Sequence, residues 1–132
     1  MKLILICGLP NAGKSTFSER FDNVLHLDDF SQNRFLNCNK AVSKTDGNVT
    51  VEGIYNIVCR RKRLLEAVAD KDCEKVCIWI DTPFETCLSR CDTGRPQHIV
   101  EMGARMFQPP TYAEGWDDII IVRNGEETHL ER

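Results

Sequence analysis

The sequence predicts an α/β fold, a three-layer sandwich around a five-stranded parallel sheet. Short apolar runs alternate with longer segments of helical spacing, and the first run is apolar at every position. That first run, "LILIC" from Leu3 to Cys7, reads as a strand covered on both faces. A helix from about Lys14 to Phe21 follows its glycine loop. The next strands are "NVLHL" (Asn23 to Leu27) and "NVTVE" (Asn48 to Glu52), with Phe30 to Gly47 between them lacking a clear period and expected to be mostly irregular. Ile54 to about Asp70 carries an apolar stripe of Ile57, Val58, Leu64, Leu65 and Val68, the spacing of a helix packed on one face. "KVCIWI" (Lys75 to Ile80) is the fourth strand. "TPFE" then predicts a helix start, with Thr82 as N-cap, Pro83 at the first helical position and Glu85 closing a capping box. Phe84, Cys87, Leu88 and Cys91 share one face of that helix. A further helix from Pro96 to Phe107 presents Ile99, Gly103 and Met106 inward and is stopped by Pro109 and Pro110. "DIIIVR" (Asp118 to Arg123) is the fifth strand.

Composition sets bounds on function. The chain has 132 residues, 42% hydrophobic and 28% charged, which predicts one ordered domain spanning residues 1 to 132. A formal net charge of −3 argues against a protein that coats nucleic acid non-specifically, since such binding rests on many phosphate contacts. Seven cysteines at uneven spacing, with no Cys-x-x-Cys pair, fit a reducing compartment, and no stretch approaches membrane-spanning length. The expectation is a soluble, cytoplasmic protein.

The stretch "GLPNAGKST", Gly8 to Thr16, has the spacing Gly-x-x-x-x-Gly-Lys-Ser between a buried strand and a helix. Such a loop curls backbone N–H groups around phosphates. Gly8, Asn11, Ala12, Gly13, Lys14, Ser15 and Thr16 are therefore expected to bind a nucleoside triphosphate, with Lys14 on the terminal phosphates and Ser15 on Mg²⁺. ATP and Mg²⁺ are the expected cofactors.

Three other groups of residues belong to this reading. The second strand runs into "HLDDF", which places Asp28 and Asp29 at the carboxyl edge of the sheet, where one of them can accept an acceptor's proton or help hold the metal, and where either can simply cap a helix. Glu52 ends the third strand as a candidate for the metal's surroundings, its alternative being a solvated strand end before a turn. Arg90 and Arg95 flank the link "CDTG" and are placed to neutralise charge on a transferring phosphoryl group. In the run Arg60 to Arg63, Arg61 falls on the apolar stripe, so it must find an anionic partner or a cleft, and substrate phosphate is one such partner. Cys87 and Cys91 read as core residues. His26 sits inside a strand and His98 and His129 show no legible partner, so none is expected to be a ligand.

Taken together, "GLPNAGKST", "LDDF", "IWIDTPFETCLSR" and "EMGARMFQPPTYAEGWDDIIIV" make the chain similar to the P-loop kinases related to phage polynucleotide kinase, a group also filed as AAA-type ATPases. The resemblance implies a nucleoside-monophosphate-kinase type sheet of order 2-3-1-4-5. It also implies Asp28 as general base toward a polynucleotide 5′-hydroxyl, and Arg90 and Arg95 as lid arginines. The chain departs from that family after the paired aspartates. Ser31 stands near the place of a substrate-binding arginine, and Arg34 is the nearest candidate.

The expected reaction is ATP-dependent phosphoryl transfer to a hydroxyl on a polynucleotide end or a hydroxylated base. The alternatives are a nucleoside, nucleotide or metabolite acceptor, or a P-loop ATPase that acts as a switch rather than a kinase. Oligomeric state is not legible.

Overall fold

The computed structural model describes residues Met1–Arg132. Its strands are β1 (Lys2–Gly8), β2 (Val24–His26), β3 (Val49–Glu52), β4 (Glu74–Ile80), β5 (Asp118–Arg123) and β6 (Glu126–His129). They form one sheet of order β2-β3-β1-β4-β5-β6, parallel throughout except for the antiparallel β5–β6 pair. The helices are α1 (Lys14–Ser18), α2 (Arg34–Ser43), α3 (Val58–Glu66), α4 (Phe84–Ser89) and α5 (Gln97–Met106).

Alternation along the strands separates two cores. Leu3, Leu5 and Cys7 of β1, with Cys77 of β4 and Ile119 of β5, face α2 and α3 and pack with Val42, Leu64, Leu65 and Trp116. Ile6 of β1, with Val76, Ile78 and Ile80 of β4, faces the other way and packs with Phe17, Cys87 and Val100. Both faces of β1 are thereby largely dry, which is why its run from Leu3 to Cys7 is apolar without interruption. Full burial of side chains of this size contributes about 1.5–3 kcal/mol each relative to exposure.

Several expectations are corrected. The sheet has six strands rather than five, because Asn124 (φ 50°) and Gly125 (φ 79°) form a two-residue turn that folds Glu126–His129 back on β5. Within Phe30 to Gly47, expected to be mostly irregular with at most one helical turn, Arg34–Ser43 form a helix that buries only Cys38 and Val42. Thr82 does not cap α4; Pro83 holds the N-cap position, and the Thr82 hydroxyl donates instead to the Ala12 carbonyl at 2.6 Å. In α5 the buried pair is Val100 and Gly103, whereas Met106 is 48% exposed. No helix is long and apolar enough to cross a membrane.

Candidate functional site

At the carboxyl edge of the sheet lies a cleft of about 980 Å³. Its floor is the loop from β1 to α1. Here Gly8 passes so close to β4 that a Cβ would sit 2.6 Å from the Ile80 carbonyl oxygen. Asn11 (φ 66°) and Gly13 (φ 100°) take left-handed conformations that curl the loop. Asn11, Ala12, Gly13, Lys14, Ser15 and Thr16 all line the cleft. The Lys14 ammonium folds back onto the loop, donating to the carbonyls of Gly8 at 3.1 Å and Leu9 at 2.6 Å. Burial pushes this ammonium below its usual range, and the Glu52 carboxylate offsets part of that effect.

Beside the loop, the Ser15 hydroxyl donates to Glu52 Oε1 at 2.8 Å, and His26 Nδ1 lies 2.9 Å from the same oxygen. Glu52 is nearly buried at the end of β3. A hydroxyl and a carboxylate are the hard oxygen donors that Mg²⁺ selects, so these two residues fit a divalent cation held against phosphates in the cleft.

Asp28 sits in a 3₁₀ turn, Leu27–Asp29, directly after β2. Both its oxygens are engaged, Oδ1 by Arg34 and Oδ2 by Arg95, each at 2.9 Å. Asp29 is exposed and lies outside the cleft wall. The separation follows from the turn, which aims consecutive side chains in different directions.

The link after α4 is tied to the glycine loop through one side chain. Asn11 Nδ2 donates to the carbonyls of Arg95 at 2.9 Å and Cys87 at 3.2 Å, while its Oδ1 accepts from the Arg95 amide at 2.7 Å. Arg90 donates to the Asn11 carbonyl at 2.9 Å. Both arginines therefore face the cleft, 84 residues beyond Asn11 in the case of Arg95.

Arg61 requires a correction. It is wholly buried and forms a two-pronged pair with Glu114, away from the cleft, so it does not meet a substrate phosphate. The inward position on the stripe was legible in the sequence; its partner, more than fifty residues later in a turn, was not. Sequence reasoning also missed Arg20, which lines the cleft and lies 3.9 Å over the Phe17 ring, and His26, whose contact exists only once β2 and β3 pair.

The charge of the cleft is opposite to that of the chain. Lys14, Arg20, Arg34, Arg90 and Arg95 face only Asp28 and Glu52, an excess of cations in a protein of formal net charge −3. Such a pocket concentrates a polyanion.

No protein-family model matches the chain, and no curated protein sequence matches it. Solved structures do match its fold. A gluconokinase from Sinorhizobium meliloti superposes with a TM-score of 0.68 at 13% identity, over 92% of this chain and 81% of that one. Kti12 from Chaetomium thermophilum, in complex with ADP-AlF3, gives 0.71 at 14% identity, over 91% and 88%. The Mycobacterium tuberculosis APS kinase, in complex with AMPPNP and APS, gives 0.58 at 18% identity, over 83% of each chain. At such identities the likeness is one of fold: this chain has the P-loop kinase-type α/β fold, with the order 2-3-1-4-5 extended by β6.

Proposed function

We propose that this chain is an ATP-dependent phosphotransferase that delivers the terminal phosphoryl group to a hydroxyl of a small molecule. The observation that carries the reading is the convergence in one cationic cleft of the Lys14 loop, the Ser15–Glu52 oxygen pair, the Asp28 carboxylate and the arginines of the link. A nucleotide-binding switch needs the first two; a transferase also needs a base and mobile positive charge opposite it. The similar folds include a gluconokinase, a sugar kinase and an APS kinase, which favour a small acceptor. A polynucleotide acceptor, which the sequence resemblance implies, draws no support from them.

In this reading the glycine-loop amides and Lys14 bind the phosphates. Ser15 and Glu52 would hold Mg²⁺, which would neutralise charge on the phosphate oxygens when bound. Asp28 takes the acceptor proton as the acceptor oxygen forms its bond to phosphorus and the bond to the ADP oxygen breaks. Arg90 and Arg95 stabilise the charge that spreads over the transferring group. For Arg95 this requires exchange of its Asp28 contact for phosphate, an inexpensive exchange because exposed ion pairs are worth about 0–1 kcal/mol.

The test is transfer of label from γ-labelled ATP to a panel of sugars, sugar acids, nucleosides and 5′-hydroxyl oligonucleotides. Label on a small molecule, lost in Lys14→Ala and Asp28→Asn, is the expected result. Label on oligonucleotides alone would return the acceptor to the polynucleotide class, and hydrolysis with no labelled acceptor would favour the switch.

A further inference from the structure

Glu52 is held from two sides. His26 and Glu52 are direct register partners across β2 and β3, so their side chains share one face of the sheet. Ser15 reaches the same Oε1 from α1. A carboxylate oxygen only accepts, so His26 Nδ1 carries the hydrogen in its 2.9 Å contact. The Lys14 ammonium acts electrostatically on the same carboxylate. Without His26, Glu52 would keep a single donor against that pull, and its nearly buried carboxylate could turn from Ser15 toward the loop.

We infer that His26 is a positioning residue that fixes Glu52 beside Ser15 and thereby sets how strongly a divalent cation couples to nucleotide in the cleft. A histidine that fixes the same carboxylate oxygen Ser15 meets does for this oxygen pair what outer partners do at metal sites generally, where their loss weakens metal affinity by roughly 10–100-fold. The inference rests on the metal reading of Ser15 and Glu52 proposed above.

The experiment measures the affinity of a fluorescent ADP analogue with EDTA and with Mn²⁺, and takes the ratio as the coupling. It compares wild type, His26→Leu, His26→Asn and Glu52→Gln. His26→Leu should lose coupling by about tenfold or more. His26→Asn, whose Nδ2 can stand where Nδ1 stood, should stay within about threefold of wild type. Metal-free ADP affinity should be unchanged in both, which a general structural defect would not allow. Wild-type coupling in His26→Leu, or an equal loss in His26→Asn, overturns the role of His26. Should His26→Leu fail to fold, His26→Val, which also lacks a donor, takes its place as the variant expected to lose coupling, with His26→Asn as the rescue. Glu52→Gln separates the two levels: full coupling there removes the metal site and the inference with it. Loss there beside wild-type coupling in His26→Leu keeps the site and removes only the histidine.

Discussion

Arg61 and Glu114 meet in a buried fork, with Nε donating to Oε1 at 2.7 Å and Nη2 to Oε2 at 3.1 Å. The fork joins α3 to the turn before β5. Arg61 Nη1 also donates to the Tyr55 carbonyl at 2.9 Å, at a residue whose φ of 23° is unfavourable for any side chain other than glycine. The loop that follows Glu52, and that lines the cleft with Gly53 and Ile54, is thus held in a strained conformation by a charge pair outside the cleft.

Removing one member of this pair leaves the other charged and dry. Arg61→Met or Glu114→Gln should each cost about 3–5 kcal/mol of unfolding free energy. The double variant Arg61→Met with Glu114→Gln should lose much less than the sum of the single changes, because no unpaired charge remains. Urea unfolding of the single and double variants checks this; additive losses would mean that the two groups act separately.

The same pair sets a pH dependence. Burial pushes the Glu114 carboxyl up, but hydrogen bonds from Arg61 and Trp116 outweigh it and hold the group below its ordinary value of 4.5. A carboxyl depressed by folding contributes its full stability above the unfolded value and loses it as pH falls through the folded one. The stability difference between wild type and Glu114→Gln should therefore be constant near neutrality and shrink on acidification below about pH 4.5. A difference that does not change with pH would show that Glu114 is not the charged partner.

Gly94 supplies a prediction for the link. A Cβ there would collide with Asn11 Oδ1, the atom that accepts from the Arg95 amide. Gly94→Ala should displace the Asn11 side chain and release the link from the glycine loop, weakening ATP binding by roughly the value of one or two hydrogen bonds, about 1–2 kcal/mol. Gly47→Ala is the control, since nothing lies within 4 Å of the added carbon. Calorimetric titration with a non-hydrolysable ATP analogue distinguishes them.

The strands and the glycine loop were legible because they depend on local pattern. β1 is apolar on both faces, and β5 was placed at Asp118–Arg123, where the structure has it. What escaped has specific causes. The helix α2 buries one residue and its neighbour four positions on, too little to register as a stripe. The Asn124-Gly125 turn was a readable hairpin signal, but β6 is exposed at all four positions and shows no alternation. Glu85 offered a capping box to Thr82, yet tertiary contact won when the hydroxyl bonded to Ala12 instead. In the cleft, Lys14 and Ser15 could be named from motif spacing and the two link arginines from their place after the fourth strand, while the choice of Asp28 over Asp29 rests on the family resemblance. The pairings of Asp28 with Arg34 and Arg95, of Glu52 with His26, and of Arg61 with Glu114 are contacts between separate elements, and no single sequence displays them.

For the link arginines, Arg90→Gln and Arg95→Gln should lower the maximal transfer rate more than they weaken ATP binding, because the charge they meet grows in the transition state. Rates of transfer and ATP affinities, measured separately, check this. Changes within about twofold in both, only ~0.4 kcal/mol, would make the arginines ordinary surface.

The last prediction concerns Asp28, whose two oxygens are each held by an arginine. In the proposed reaction Arg95 exchanges its Asp28 contact for phosphate, which would free Oδ2 for the acceptor hydroxyl. Asp28→Asn keeps the shape and loses the basicity, and should reduce transfer by roughly 10² or more while ATP still binds. Asp29→Asn should do far less, since Asp29 is exposed outside the cleft wall. The same geometry predicts that the acceptor binds productively only after ATP. Initial-rate kinetics should then be ordered with ATP first in wild type, and Arg95→Gln should relax that order by leaving Asp28 Oδ2 open from the start. Equal and small losses at Asp28 and Asp29 would leave the phosphate loop intact but remove hydroxyl activation. Random-order kinetics in wild type would show that the Arg95 contact does not gate the base.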